Sequence, residues 1–220
     1  PKLHKIFDDR KGLIEKIISQ EPDLLAVSVF TDNFYWALSI VSDVKRHINV
    51  PVIFGGVYPT AVPEFVIKQD CVDVVCVGEG EFPLLELADS MANGGIDYNI
   101  KNLWIKKGNE IIKNPTRSLV DLEKLPLWDK ELFENEVEID RMYMTMSTKG
   151  CPYHCKFCSL NMWNKHYNSV EGRAERLKDS YRDLRRKSVD YMMDELITMK
   201  NRYNYREVGF YDAVFTVHKD

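Results

Sequence analysis

Three cysteines stand within eight residues, Cys151-Pro152-Tyr153-His154-Cys155-Lys156-Phe157-Cys158, in the spacing C-x3-C-x2-C. Thiols this close would stay neutral in an apolar core and would repel one another as thiolates. A zinc ion or a cationic iron-sulfur core makes their deprotonation favourable. Curling the loop round a metal costs about 1.7 kcal/mol of closure entropy, and metal–thiolate binding supplies on the order of 10 kcal/mol. The loop therefore reads as a metal site, set directly after an expected strand from Met142 to Ser147. The fourth coordination position separates the alternatives. Structural zinc wants four protein ligands; His154 is one candidate, though its place beside Cys155 makes joint ligation awkward, and His166 is less strained. A four-iron cluster on three cysteines keeps one iron open to substrate, so zinc and iron-sulfur are the two readings of the loop.

The other two cysteines, Cys71 and Cys76, flank an apolar strand and read as core thiols. An odd total of five, with three bunched together and no signal peptide, suits a reducing compartment, so a cytoplasmic location is expected. Hydrophobic residues at 45% and charged residues at 29% exclude wholesale disorder, collagen and coiled coil. The uncharged stretch from His47 to Pro63 is broken by Pro51, Gly55, Gly56 and Pro59 and is too short to cross a bilayer, so no membrane span is expected. The chain opens on Pro1 and stops at Asp220 just after an apolar, strand-like run, and is expected to be a fragment.

Charge is unevenly spread. Residues 141–187 carry eleven Lys/Arg against four Asp/Glu, a local +7, and since the total is −4 the rest carries −11. An anionic ligand could sit near this stretch. The plainer account is a solvated helix from Glu171 to Ser188 with Leu177, Tyr181 and Leu184 on its apolar side.

From Leu13 onward helix-like and strand-like segments alternate, which predicts α/β architecture with a parallel sheet. Helical spacing marks Leu13 to Ile18, Phe34 to Ile48, Val62 to Gln69 and Glu81 to Met91; Leu24 to Phe30, Pro51 to Phe54 and Val72 to Val77 read as buried strands. A hairpin follows around Lys107-Gly108-Asn109, then an aperiodic stretch from Asn114 to Glu138. A second αβ region begins near Met142, with a helix carrying Val189, Met192, Met193, Leu196, Ile197 and Tyr203 on one face and a strand from Glu207 to Tyr211. The expected organisation is a first domain over 1–93, a hairpin and linker over 94–140, and a second domain over 141–220.

The run Thr148-Lys149-Gly150-Cys151 through Cys158-Ser159 resembles the cluster loop of radical S-adenosylmethionine enzymes. The resemblance implies that Cys151, Cys155 and Cys158 hold a [4Fe-4S] cluster whose open iron takes the amino and carboxylate groups of S-adenosylmethionine. It further implies reductive cleavage to methionine and a 5′-deoxyadenosyl radical, with Phe157 near the adenine. The N-terminal half resembles the cobalamin-binding domain of that family's largest branch, through Val27-Ser28-Val29-Phe30-Thr31, Gly55-Gly56-Val57-Tyr58-Pro59-Thr60 with Pro63-Glu64, and Val72-Asp73-Val74-Val75 with Gly78-Glu79-Gly80-Glu81. Ser28, Thr31, Gly55, Gly56, Tyr58, Pro59, Thr60, Gly78, Glu79 and Gly80 are thereby candidate cobalamin contacts. Asp121-Leu122, Leu125-Pro126 and Trp128-Asp129 are similar to the branch's linker.

Two departures stand out. The D-x-H-x-x-G motif is absent, so no histidine is expected below the cobalt, and Gly209 to Phe215 resembles a second-strand segment that usually carries two consecutive acids, with Ala213 in place of the second. By resemblance the fold is a doubly wound, Rossmann-like cobalamin-binding domain followed by the start of a partial TIM-like barrel. The implied reaction is cobalamin-assisted methyl transfer to an unactivated carbon of a small-molecule substrate, or oxidative ring closure of the anaerobic porphyrin-ester cyclase kind. The implied electron source is a low-potential donor such as flavodoxin or ferredoxin. A zinc-stabilised nucleic-acid-binding module, suggested by the local +7, and a cofactor-carrying scaffold without turnover are the competing readings.

Overall fold

The computed structural model describes residues 10–133, 138–153, 155–160 and 184–216. They fall into two compact units that divide after Ser118.

The first unit opens with α1 (Arg10–Ser19), β1 (Leu25–Ser28) and α2 (Phe34–Val44). It continues through β2 (Val52–Gly55), α3 (Val57–Ala61), α4 (Pro63–Ile67), β3 (Val74–Cys76) and α5 (Glu81–Ala92), and ends in the hairpin β4 (Leu103–Lys107) and β5 (Glu110–Lys113). The sheet order is β1-β2-β3-β4-β5. β1, β2 and β3 run parallel, with Val27 opposite Phe54 and Phe54 opposite Val75. Val52, Ile53 and Phe54 are all buried because side chains alternate across the sheet and both faces are covered. Val52, Phe54 and Val75 face a core shared with Phe34, Val41, Val44 and Val66, while Ile53, Val74 and Cys76 face Leu87, Ile100 and Leu103 on the other side. This is a doubly wound, Rossmann-like α/β layer.

Two expectations change in this unit. The short helix expected over Val62 to Gln69 is α4, and a further short helix not expected from the sequence, α3, precedes it; the two meet at Val62, whose extended φ of −137° lets Pro63 start α4. The hairpin grouped with the linker over 94–140 belongs to the first sheet, where β4 pairs antiparallel with β3, Cys76 opposite Leu103 and Val74 opposite Ile105. Leu103 and Ile105 are buried on the α5 side, so their burial is tertiary and leaves no mark in local periodicity.

In the second unit β6 (Met142–Thr145) is followed by β7 (Thr148–Lys149), β8 (Arg185–Arg186), α6 (Val189–Tyr203) and β9 (Glu207–Phe210). β6 and β9 are parallel neighbours joined across α6, a βαβ arrangement with Tyr143 opposite Val208. Ser188 caps α6 by accepting the Tyr191 N–H at 3.2 Å, and Asn204 closes it in the left-handed region at φ 48°. Of the helix expected over Glu171 to Ser188, residues 171–183 lie outside the described residues, and Arg185–Arg186 are strand, paired with Lys149 and Thr148.

The face assigned to α6 also needs correction. Met192 and Met199 are buried, but Val189, Met193 and Ile197 are exposed, and the buried position between them is taken by Glu195, only 4% exposed. Its carboxylate accepts the Tyr143 hydroxyl at 3.0 Å, the Thr145 hydroxyl at 2.5 Å and the Lys187 ammonium at 2.6 Å. A paired acid can therefore occupy a core position that sequence pattern assigns to an apolar side chain. Burial, with Glu195's charge adding to it, pushes the phenols of Tyr143, Tyr191 and Tyr205 above their usual range. The folded unit thus holds more protons than the unfolded chain above about pH 10. Stability present below that pH should fall as pH rises through the raised phenol values. Melting temperatures followed from about pH 8 to about pH 11 should stay level and then decline near 10; no decline would contradict the tyrosine assignment.

Among the described residues no helix is long and apolar enough to cross a membrane.

Candidate functional site

The first unit presents three chain segments at the carboxyl ends of β1, β2 and β3, where open parallel sheets receive ligands. Gly56 sits there at φ 100° and ψ −165°, a conformation open essentially to glycine alone. A Cβ on it would lie 2.8 Å from the Val29 carbonyl oxygen and 3.1 Å from Ser28 Oγ. The backbone after β2 therefore presses against the end of β1, and the Val29 N–H bonds Gly55 O at 2.9 Å. Thr60 then ties this segment to the one after β3: its hydroxyl donates to Gly56 O at 2.8 Å and accepts the Gly78 N–H at 2.9 Å.

The candidate cobalamin contacts fall into three groups. Ser28 and Thr31 are exposed; Gly55, Gly56, Tyr58 and Gly80 are half-buried; Pro59, Thr60, Gly78 and Glu79 are buried. Thr60's hydroxyl is engaged within the chain, which makes it a brace for the edge. Sequence reasoning missed Asn102. Fully buried at φ 72°, it donates from Nδ2 to Val77 O at 2.8 Å, and its carbonyl oxygen accepts the Arg117 N–H at 2.9 Å. It braces the Val77–Glu79 segment from the hairpin side, and its only sequence signal is that asparagine tolerates the left-handed region.

Gly56→Ala should cost about 3 kcal/mol through its forced backbone change and the overlap with Val29 O. Urea denaturation of the full-length protein, read on first-unit probes, checks this. A loss below about 0.5 kcal/mol would mean that the segment relaxes freely.

In the second unit the chain leaves β6, passes Ser147 and Thr148, turns at Gly150 with φ 110°, and enters the cysteine loop. Cys151 is buried, Cys155 exposed and Cys158 half-buried, with the Cys158 N–H bonded to Cys155 O at 3.1 Å. Phe157 is 95% exposed. His154 and His166, the zinc candidates, lie outside the described residues. Among the described residues no three cysteine, histidine or acidic side chains are drawn together tightly enough to hold a metal ion. The donor set itself is three soft thiols on one short loop with a fixed root, which fits an iron-sulfur cluster by ligand chemistry. Asp212, just past β9, supplies that root by accepting four hydrogen bonds from Ser147 and Thr148. Burial opposes its charge, but the hydrogen bonds from Thr148 and Ser147 outweigh it and hold the carboxyl below the usual carboxylate range.

The aperiodic stretch after Ser118 packs within the second unit. Leu122 is buried, the Arg185 guanidinium donates to Val120 O, the Tyr191 hydroxyl to Leu125 O at 3.1 Å, and Lys130 Nζ to Met144 O at 2.8 Å. Segments flanking the root of the cysteine loop are thus held by residues that sequence alone assigns to a linker.

Comparison with known proteins extends this picture. Residues 4–88 match the B12 binding domain family. Over 97% of its length the chain is 28% identical to an uncharacterised methyltransferase of Pyrococcus horikoshii, covering 44% of that protein. It is 32% identical over 63% of its length to the cobalamin-dependent radical SAM methyltransferase TokK of Streptomyces tokunonensis, covering 22% of it. An anaerobic magnesium-protoporphyrin IX monomethyl ester cyclase of Rubrivivax gelatinosus is 24% identical over 93% of the chain, with 36% of that protein covered. The chain spans less than half the length of these curated relatives. Among solved structures, the cobalamin-dependent S-adenosylmethionine radical enzyme OxsB matches 94% of the chain and 27% of its own at a TM-score of 0.67 and 17% identity, a likeness of fold.

Proposed function

We propose that the chain, whose residues 4–88 match the B12 binding domain family, belongs to the B12-binding branch of the radical S-adenosylmethionine enzymes, and that it works with a [4Fe-4S] cluster, S-adenosylmethionine and cobalamin in methyl transfer to an unactivated carbon. The observation that carries the reading is the C-x3-C-x2-C loop following a B12-binding domain in one chain. Cys151, Cys155 and Cys158 would hold the cluster, which when bound supplies the electron that cleaves S-adenosylmethionine to methionine and a 5′-deoxyadenosyl radical. The segments after β1, β2 and β3 would receive cobalamin. Their contribution is a surface held in shape beforehand: Gly56 allows close backbone approach, and Thr60 and Asn102 keep the β2 and β3 segments in place. None of the candidate contacts there is a histidine, so none would ligate cobalt from below.

An electron donor of flavodoxin or ferredoxin type and a small-molecule substrate are the proposed partners. An odd count of five cysteines with three bunched within eight residues suits a reducing compartment, and the cytoplasm is the proposed location. The cyclase relative favours a second reading, oxidative ring closure.

The products of the full-length protein separate these readings. With a low-potential reductant, S-adenosylmethionine, cobalamin and a competent substrate, methyl transfer yields both 5′-deoxyadenosine and S-adenosylhomocysteine. 5′-Deoxyadenosine alone would reject methyl transfer in favour of ring closure. Neither product, with stoichiometric zinc in place of iron and sulfide, would reject the radical reading and leave the zinc-stabilised nucleic-acid module.

A further inference from the structure

We propose that the Asp212 carboxylate is the positioning group of the cysteine loop, fixing the two residues from which the loop departs. The inference rests on the cluster reading above for its purpose and on geometry for its content. Asp212 Oδ1 accepts the Thr148 N–H at 2.5 Å, the Thr148 hydroxyl at 2.6 Å and the Ser147 hydroxyl at 2.7 Å, and Oδ2 accepts the Ser147 N–H at 3.1 Å. Two consecutive residues thus give both backbone and both side-chain donors to one carboxylate. Only an ionised carboxylate offers acceptor capacity in two directions with no donor of its own.

The same two residues are held from other sides. The Lys187 N–H bonds Ser147 O at 2.9 Å, Thr148 and Lys149 pair with Arg186 and Arg185, and the Tyr211 N–H bonds Thr145 O at 2.9 Å beside β9. Thr148 is buried, and two residues later Gly150 turns the chain into the buried Cys151. A rotation at Ser147–Thr148 would therefore be transmitted directly to the first sulfur. Asparagine at 212 would keep the shape but turn two N–H donors toward a cluster of donors. Ala213 carries no polar side chain that could replace it.

The test compares wild type, Asp212→Asn, Asp212→Glu and Thr148→Val in the full-length protein. Three readouts are taken: the alkylation rate of Cys151 in the metal-free protein, iron and sulfide content after anaerobic reconstitution, and the electron paramagnetic resonance of the reduced cluster. Asp212→Asn should speed Cys151 alkylation roughly tenfold and Thr148→Val about threefold, the factors expected for losing a charged network and one of its hydrogen bonds. Cys71 and Cys76 should keep their slow rates. Asp212→Asn should also lower iron content severalfold and alter the resonance of what remains, and Asp212→Glu should recover most of both. Unchanged Cys151 reactivity in a folded Asp212→Asn protein overturns the proposal, as does equal loss in Asp212→Glu. Should Asp212→Asn not fold, Thr148→Val decides, and an unaltered Cys151 rate there overturns it too. A wild type that takes up no iron while Asp212→Asn still exposes Cys151 would remove the cluster reading and leave the positioning role standing.

Discussion

Anaerobic reconstitution of the full-length protein should load about four irons per chain, and replacing Cys151, Cys155 or Cys158 with alanine should abolish that loading. Two thiolates cannot hold three corners of a four-iron cluster, so each single change is expected to act as a complete loss. Cys71→Ala and Cys76→Ala serve as controls because both thiols are buried in the first unit. Burial, reinforced by the charge of Glu81, pushes the Cys76 thiol up to about 12, which keeps it protonated and unavailable to metal near neutrality. Iron, sulfide and zinc analysis of the six proteins checks the assignment. Stoichiometric zinc without sulfide, or loss of iron in either control, would sink it.

The second large effect concerns stability. Glu195→Ala should cost the second unit about 3–5 kcal/mol, since it leaves the largely buried Lys187 ammonium without its counter-charge. The hydroxyls of Tyr143 and Thr145 lose an acceptor in the same step. Glu195→Gln keeps an acceptor and the volume and should cost about half as much. Replacing Glu195 and Lys187 together with leucine and methionine should recover much of the loss, because a buried ion pair is worth little over a packed apolar pair while half of one is costly. Hydrogen exchange of the α6 amides reports local opening and checks all three variants. A Glu195→Ala protein with α6 protection like that of wild type would show that Lys187 reaches water at no cost.

The parallel strands of the first unit are legible in the sequence because Leu25–Ser28, Val52–Gly55 and Val74–Cys76 lie in apolar runs separated by clear turns. The place of the hairpin is not, since the pairing of Leu103 with Cys76 is made across the sheet and carries no local period. On α6 the spacing of Val189, Met193 and Ile197 imitates a core stripe, yet the buried positions belong to Met192, Glu195 and Met199. A buried glutamate is invisible to pattern reading until its partners on β6 and at Lys187 are known. Cys151, Cys155 and Cys158 stand out by spacing alone. The residues that brace each site do not: Asp212, at the root of the cysteine loop, lies 64 residues beyond Thr148, and Asn102, behind the Val77–Glu79 segment of the first unit, looks like an ordinary turn residue.

That separation between Thr148 and Asp212 also sets an order of events in time. Closing a loop of 64 residues costs roughly 3.7 kcal/mol of chain entropy, so the bond network at Ser147 and Thr148 forms only when β9 docks beside β6. During synthesis the cysteines leave the ribosome well before Asp212 does. For that interval the three thiols stand on a segment that the Asp212 bonds do not yet hold. On the cluster reading proposed above, loading of the three thiols would follow the arrival of β9.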